Sequence, residues 1–398
     1  MSFLQKSECA ALLERFLRYV KIWTTSDTEQ ADKGIQPSTE CQRDFATLLA
    51  DELKSHGAQN VQITDHCYVY GFLPATNGKE SAAPICWLAH LDTVDEVSGK
   101  NVCPQVKQTE DGDTIITSDG TTLLGADDKA GVTAIMSAIS FLHAHQEIPH
   151  GKIEVIFSPD EETGHGMDNV PLNLLSSKCA YTVDGGATGE LETECFNAYK
   201  SEIIFTGKAT HTGSARATLV NAVSMASSFV ANLPRHQAPE TTDGHQGFYA
   251  AMSLNGTMER AKVILLLRDF SKTEMEKKKS FVDLLAQTTA ASFGGKAEVI
   301  HTQQYLNMKE ELDKHPRIVE NLVAAYKAAG IEPIFTPIRG GTDGSRLTEM
   351  GIPTPNIFTG GHNFHSRDEW CSLNGMCAAC EVLINLARIS AEQYSRIR

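Results

Sequence analysis

Several short apolar runs in the chain stop at turn residues and are followed at once by acidic side chains. The clearest is the β-branched run 152–158, which ends before Pro159. Three consecutive acids follow it: Asp160, Glu161 and Glu162. An apolar run bounded in this way is typical of a buried strand that ends in a loop. Three carboxylates at such an end repel one another and lose hydration, so the pattern predicts a cation among them. A solvated acidic turn is the alternative.

Three more strand or helix ends in the same part of the chain carry histidine or acidic residues. They are His90 and Asp92 after the apolar run that starts at residue 84, Asp127 and Asp128 before the helical run 132–143, and Asp184 after the run that starts at residue 179. Each has a structural alternative, such as a hydrogen-bonded histidine or an aspartate that caps a helix. Ligands gather at the carboxyl ends of strands in open α/β sheets, so the four ends together predict one site.

The apolar pattern also predicts the elements around these segments. The N-terminal stretch is an amphipathic helix and not a signal peptide, because Glu8, Glu14 and Arg15 interrupt its apolar positions. A second helix is predicted over 40–56, and the alternation over 61–73 predicts a strand. Helices over 315–329 and from about residue 374 close the chain.

From residue 199 the pattern changes to strand 199–207, helix 218–233, strands 247–255 and 261–269, helix 272–291 and strand 296–304. This β-α-β-β-α-β order is the ferredoxin-like arrangement. It predicts a domain inserted at 199–307 between two parts of an α/β domain, 1–198 and 308–398. The insert carries His211 in a polar loop and Arg268 at the end of an apolar strand. An arginine there either caps the strand at the surface or binds a substrate carboxylate.

Composition restricts the partners more than the fold. Of the 398 residues, 41% are hydrophobic and 21% charged, and the formal net charge is −15. An acidic chain is not expected to bind nucleic acid or an anionic membrane surface. No stretch is long enough to span a bilayer. The close pair Cys377 and Cys380 fits one face of a helix better than a redox or zinc motif. Without a signal peptide, we expect a cytoplasmic protein with reduced thiols.

Two C-terminal segments add further candidate ligands. Arg339 precedes Gly-Gly-Thr-Asp at a predicted strand-to-helix turn, and His362 and His365 follow a last apolar strand. Imidazoles combined with several carboxylates suit zinc, with cobalt or manganese as substitutes. More than four candidate ligands predict two metal ions that share a carboxylate, and the carboxylate left over would be the general base.

These segments resemble the M20 metallopeptidase family, and within it the aminotripeptidases. The resemblance runs nearly end to end, in order, through HLDTV, DGTTLLGADDKAG, SPDEETG, VDGG, IRGGTDGSRL and PNIFTGGHNFHS. It implies an α/β fold: a mixed-sheet zinc-peptidase catalytic domain with an inserted ferredoxin-like α+β lid domain. The implied activity is removal of the N-terminal residue from tripeptides, a small peptide being the substrate.

The resemblance also implies a role for each matching residue. His90, Asp127 and Asp184 would hold one zinc ion, and Asp127 would bridge to a second zinc ion held by Glu162 and His365. This makes two Zn²⁺ per subunit, with Co²⁺ or Mn²⁺ as substitutes. The peptide bond after Asp127 is expected to be cis.

Other matching residues would act on water and substrate. Glu161 would be the general base, and Asp92 would orient His90. His211, Arg268 and Arg339 would bind substrate, with Arg339 in the catalytic domain. Asp160 has no predicted role beyond the turn.

Some positions depart from the family pattern, and some alternatives stay open. Thr212 replaces a proline, Phe364 replaces a tyrosine, and His362 is an extra histidine near His365. The same metal centre would serve a dipeptidase, a carboxypeptidase or an N-acyl-amino-acid hydrolase. A dinucleotide-binding turn around Asp184 lacks the full glycine spacing, and its carboxylate would repel a pyrophosphate. The sequence does not decide between a monomer and a homodimer.

Overall fold

The computed structural model describes residues 3–110 and 112–394, so the outermost residues of the predicted catalytic segments lie outside it. The chain divides into two compact units. The first comprises Met1–Thr193, Met308–Thr336 and Thr342–Arg398, and the second comprises Glu194–Asn307 and Pro337–Gly341. No helix in the described ranges combines the length and the apolar character needed to cross a bilayer.

The helices, in chain order, are α1 (Lys6–Tyr19), α2 (Thr28–Ala31), α3 (Gln42–Ser55), α4 (Ala126–Ala144), α5 (Ala222–Ala231), α6 (Lys272–Phe293), α7 (Lys309–Leu312), α8 (Pro316–Ala328), α9 (Asp343–Glu349) and α10 (Leu373–Tyr394). The strands are β1 (Gln59–Ile63), β2 (Val69–Leu73), β3 (Ile85–His90), β4 (Gln105–Gln108), β5 (Thr114–Thr117), β6 (Ile153–Ser158), β7 (Ala180–Gly185), β8 (Glu190–Glu192), β9 (Asn197–Thr206), β10 (Phe248–Gly256), β11 (Arg260–Asp269), β12 (Lys296–Tyr305), β13 (Ile334–Phe335), β14 (Asn356–Phe358), β15 (Gly361–His362) and β16 (Trp370–Ser372).

The large sheet of the first unit is mixed, as predicted. Over the described residues its strand order is β1-β2-β6-β3-β7-β14-β8-β13. The central strands β6, β3, β7 and β14 run parallel to one another, whereas β2 and β8 pair antiparallel with them. The carboxyl ends of β6, β3 and β7 therefore meet at one edge of the sheet, which is where the predicted site residues follow each strand.

Both faces of the central strands are buried, which explains why their sequences are continuously apolar. On one face, Trp87 of β3 packs in a cluster with apolar side chains of α1, α3, α4 and α10. On the other, its neighbour Leu88 packs with Ile156 and Leu347. Helix α4 packs so closely against β7 that a Cβ atom at Gly131 would lie 1.7 Å from the carbonyl oxygen of Val183. This close approach brings the start of α4 beside the end of β7.

The second unit follows the predicted β-α-β-β-α-β order. Its antiparallel sheet has the strand order β10-β11-β9-β12 over the described residues. Helices α5 and α6 cover one face of this sheet, where Phe229 and Val282 pack against Phe205 and Leu265.

The structure contains two features that the hydrophobic pattern did not predict. The segment predicted as one strand over 61–73 is a hairpin of β1 and β2, because the chain reverses where the N–H of Cys67 donates to the carbonyl of Thr64. The alternation continues through this turn and so conceals it. A small sheet, β15-β16-β5-β4, was not predicted. Its strands are only two to four residues long, too short for a periodic pattern.

Candidate metal centre

The side chains predicted as metal ligands meet at the carboxyl edge of the large sheet. His90 is the last residue of β3, and Asp184 is the last but one of β7. Glu162 lies in the loop after β6, Asp127 at the start of α4, and His365 in the loop after β15. Five segments that are far apart in the chain therefore contribute to one cluster.

Asp127 lies between the two histidines of this cluster. The Nε2 atom of His90 is 2.8 Å from Asp127 Oδ1 and 3.5 Å from Asp184 Oδ1. The Nε2 atom of His365 is 3.2 Å from Asp127 Oδ2 and 3.0 Å from Glu162 Oε2. Each oxygen of Asp127 thus faces a different histidine and a different second carboxylate. This is the arrangement expected of a carboxylate that bridges two cations.

The orientation of His90 is set by Asp92, although chiefly through the backbone. His90 Nδ1 lies 3.1 Å from the carbonyl oxygen of Asp92 and 3.4 Å from its Oδ1. A proton on Nδ1 donates to that carbonyl, and the lone pair of Nε2 then points at Asp127 and Asp184. This is the tautomer that a metal ligand needs.

The carboxylate of Asp92 also holds the acidic loop after β6. Its Oδ1 accepts the N–H of Glu161 at 3.0 Å, and its Oδ2 accepts the N–H of Glu162 at 3.2 Å. The side chain of Glu161 itself makes no hydrogen bond within the described residues. Its backbone is therefore fixed while its carboxylate stays available to another partner.

Burial raises the pKa of three acids in the cluster. It raises the pKa of Asp184 to about 6 and that of Glu162 to about 8, and the neighbouring charge of Asp127 adds to both. Burial likewise raises the pKa of Glu161 well above its ordinary value. Hydrogen bonds to Asp127 and Glu162 raise the pKa of His365 to about 11. The cluster contains more buried acid than two imidazoles neutralise, so a bound cation would relieve the repulsion.

The residues present fit zinc. The Oε1 atom of Glu162 is buried and has no hydrogen-bond partner among the described residues, as expected of an atom that awaits a ligand. Ligand atoms of His90, Asp127 and Glu162 all lie within 4.8 Å of one another. Two imidazoles and three carboxylates are the donor types that zinc prefers.

Asp128 forms a second possible ligand group with His90 and Asp184. Its two oxygens, however, already accept backbone protons: Oδ2 accepts the N–H of His90 at 3.2 Å and Oδ1 that of Gly131 at 3.1 Å. Asp128 therefore supports the strand end and the helix start. The peptide bond between Asp127 and Asp128 is cis, as expected.

His211 of the second unit is exposed in a polar loop. Its Nδ1 accepts the N–H of Gly213 at 3.1 Å at the start of a short 3₁₀ helix, Thr212–Ser214. In the neutral imidazole the proton then lies on Nε2, which is free to donate.

Arg268 is 9% exposed at the end of β11. Its Nη1 donates to the carbonyls of Leu267 and Tyr199 at 3.0 and 3.3 Å, and its guanidinium carbon lies 5.5 Å from the centre of the Tyr305 ring. Within the described residues its Nη2 makes no hydrogen bond. One side of the guanidinium is thus anchored, and the other remains available.

Arg339 belongs to the second unit, in the segment Pro337–Gly341, whereas the resemblance placed it in the part of the chain that forms the first unit. Its Nη1 donates to the carbonyls of Gly244 and Gln246, and its Nη2 to the carbonyl and the hydroxyl of Thr242. The guanidinium carbon also lies 5.2 Å from the ring centre of Phe196. In this conformation both Nη atoms of Arg339 hold the loop 242–246.

The extra histidine is held by a stacking contact with a tryptophan. The His362 ring stacks on Trp370, with centroids 3.9 Å apart and an interplanar angle of 13°. His365, with φ of 57°, turns its side chain towards Asp127.

Two buried acids beside the cluster make contacts that the sequence did not predict. Asp160 was expected to be a turn residue only, but its carboxylate accepts hydrogen bonds from the N–H and hydroxyl of Ser38 and from the side chain of Gln42. Glu369 is 1% exposed and accepts backbone protons from the segment that carries Asp127. Nothing in the sequence around Glu369 distinguishes it from a solvated acid in a polar loop.

Comparisons with known proteins identify the family. The profile of the peptidase family M20/M25/M40 matches residues 86–389. Peptidase T of Listeria innocua is 43% identical over 96% of this chain and 99% of that protein, and Peptidase T of Clostridium perfringens is 42% identical with the same coverage.

Solved structures share the fold over almost the whole chain. The aminopeptidase PepT of Bacillus cereus has a TM-score of 0.80 and 25% identity, covering 96% of this chain and 99% of its own. A tripeptidase from Staphylococcus aureus has a TM-score of 0.82 and 22% identity, covering 97% and 99%. The first likeness extends to sequence, whereas the second concerns the fold alone.

Proposed function

The chain belongs to the peptidase family M20/M25/M40, and on that premise we propose that it is a di-zinc aminopeptidase that removes the N-terminal residue from tripeptides. The observation that carries the metal part is the position of Asp127 between His90 and His365. The peptide length and the direction of cleavage rest on the relatives named Peptidase T and on the matching sequence blocks.

Each predicted ligand has a place in this proposal. His90, Asp127 and Asp184 would hold one zinc ion, and Asp127, Glu162 and His365 the other. When bound, the ions would supply Lewis-acid chemistry and lower the pKa of water. Co²⁺ and Mn²⁺ accept the same donors and are expected substitutes.

Glu161 is the proposed general base. A carboxylate oxygen of Glu161 would take a proton from the attacking water and pass it to the amine that leaves the scissile bond. The side chain has no competing hydrogen bond within the described residues, and Asp92 fixes its backbone. These two features suit a group that must accept and release a proton without moving.

The second unit would bind the substrate in the role of a lid. His211 would donate its Nε2 proton to the developing oxyanion, and the unengaged side of Arg268 would receive the C-terminal carboxylate, which limits peptide length. Arg339 would contribute only after releasing Thr242, Gly244 and Gln246. The predicted domain boundaries at 199 and 307 and a cytoplasmic location remain part of the proposal, although the second compact unit begins at Glu194 and also includes Pro337–Gly341.

A peptide-length series tests the function. Di-, tri- and tetrapeptides and an N-acetylated tripeptide of the same sequence would be compared at equal zinc loading, and the products released from each would be identified and quantified. We expect the free tripeptide to have the highest kcat/KM and the blocked one to be inert. Equal cleavage of the blocked tripeptide would favour an N-acyl-amino-acid hydrolase or a carboxypeptidase, and preferred cleavage of dipeptides would favour a dipeptidase.

A further inference from the structure

A buried carboxylate on the loop that carries His365 holds the backbone of the segment that carries Asp127. Glu369 Oε2 accepts the N–H groups of Leu124 and Gly125 at 2.7 and 2.8 Å, and its Oε1 accepts the N–H of Asp127 at 3.1 Å. Three backbone N–H groups therefore share one acceptor side chain, which belongs to a residue more than 240 positions later in the chain.

The segment 124–127 needs such a partner because its start is not a regular helix. Gly125 has φ of 82°, and Asp127 has φ of −85° and ψ of 104°, which are not helical values. N–H groups at the start of a helix have no carbonyl partner within the helix, and in this segment the first helical bond is the one that the N–H of Lys129 donates to the carbonyl of Gly125 at 3.3 Å. A buried N–H without an acceptor would be costly, and Glu369 removes that cost for three of them.

The loop that carries Glu369 is closed on itself. The hydroxyl of Ser366 donates to the carbonyl of Asn363 at 2.6 Å, and the N–H of Asp368 donates to Ser366 Oγ at 3.2 Å. The N–H of Glu369 also lies 3.4 Å from the carbonyl of Ser366. These bonds fix Glu369 relative to His365, which contacts the side chain of Asp127 from the same loop.

We propose that Glu369 is a positioning residue that sets Asp127 between His90 and His365. The loop 363–369 then holds Asp127 twice, by the backbone through Glu369 and by the side chain through His365. Because Asp127 faces both halves of the cluster, loss of Glu369 should weaken binding at both metal positions. This inference rests on the proposed di-zinc centre, and it deepens that proposal.

The substitution Glu369→Gln separates this role from simple packing. A glutamine has one oxygen and one NH₂ group, whereas both oxygens of Glu369 face N–H donors. Either orientation of the amide opposes a donor to a donor, at Asp127 or at the Leu124–Gly125 pair. The variant is nearly the same size, so the change acts on hydrogen bonding and charge.

Glu154→Gln is the matched control. Glu154 is also fully buried in the first unit, and it also accepts backbone protons, from Ser176 and Ser177. It lies near the amino-terminal end of β6, whereas the metal cluster lies beyond the carboxyl end of that strand. Its loss should lower stability without reaching the metal ligands.

The experiment measures zinc affinity of the metal-stripped proteins by competition with a chelator, together with the Tm of each metal-free form. Glu369→Gln should bind zinc about 10- to 100-fold more weakly than the parent, the usual cost of losing a group that supports a ligand. Glu154→Gln should keep the parent's zinc affinity, and its metal-free form should have a lower Tm. Glu369→Asp, which keeps the charge at a shorter reach, should recover part of the affinity.

Unchanged zinc affinity in Glu369→Gln would overturn the inference. So would an equal loss in Glu154→Gln, because the effect would then be general destabilisation. Tripeptide cleavage by the parent is measured in the same preparations. A parent that binds zinc through a Glu369-dependent site but does not cleave tripeptides refutes the proposed function and leaves the role of Glu369 standing.

Discussion

Glu154→Gln should destabilise the first unit strongly at neutral pH and much less in acid. The Glu154 side chain is completely buried and accepts hydrogen bonds from Lys152 Nζ at 2.6 Å and from the N–H and hydroxyl groups of Ser176 and Ser177. The Tyr70 hydroxyl adds another at 3.0 Å. Every one of these donors favours the ionised carboxylate.

The magnitude follows from the pKa of Glu154. Burial alone would raise it, but the hydrogen bonds from Lys152, Ser177 and Ser176 outweigh burial and lower the pKa from 4.5 to about 2. At about 1.36 kcal/mol for each pKa unit, this shift corresponds to about 3 kcal/mol of stability. Because the folded-state pKa is the lower one, the stabilisation is complete above the unfolded value and disappears as the pH falls towards 2. About 1 to 1.5 kcal/mol remains at pH 3.

Tryptophan fluorescence during urea unfolding reports on the first compact unit, which contains Glu154. All three tryptophans, Trp23, Trp87 and Trp370, belong to the first unit. We expect the difference in unfolding free energy between parent and Glu154→Gln to be about 3 kcal/mol at pH 7 and to shrink below pH 4. Glu29→Gln, which removes an exposed lysine-paired glutamate, should change stability by less than about 1 kcal/mol. A difference that stays constant between pH 7 and pH 3 would refute the charge-based argument.

Three further predictions concern the acids and the histidine around the site. Glu161→Gln should lower kcat on a tripeptide by roughly 10²- to 10⁴-fold with zinc content unchanged by metal analysis, and retained turnover would exclude it as the base. Asp160→Ala should cost about 1–3 kcal/mol in urea unfolding, because Ser38 and Gln42 lose a buried acceptor; an unchanged midpoint would show that water replaces it. His211→Ala should lower kcat by about 10²- to 10³-fold at unchanged zinc content, whereas a change confined to KM would contradict the oxyanion role.

Much of the fold was predictable because the signals were local. The buried parallel strands are continuous apolar runs, and the acids and histidines that follow β3, β6 and β7 fell at one edge once those strands were parallel. The β-α-β-β-α-β order of the second unit was predictable for the same reason, since each element has its own period. The hairpin at Cys67 was missed because its turn does not interrupt the alternation.

The supporting contacts were not predictable, because they join residues that are remote in sequence. Glu369 reaches the N–H of Asp127 across 242 positions, and Asp160 reaches Ser38 across 122. A single acid in a polar loop looks the same whether it is solvated or buried against distant donors. The arrangement of Arg339 is a third case: only the folded chain shows that its guanidinium is occupied by the loop 242–246.

The three consecutive acids after β6 have different neighbours in the structure, and on that ground different roles are proposed for them. Asp160, with φ of 59°, turns its carboxylate inward to Ser38. Glu161 and Glu162 both give their N–H groups to Asp92, whose carbonyl also orients His90. Asp92 therefore couples the position of the proposed base to the position of a proposed ligand. The backbone of Glu161 is held by Asp92 while its carboxylate makes no hydrogen bond in the described part of the chain, which is the physical reason to assign the proton transfer to Glu161.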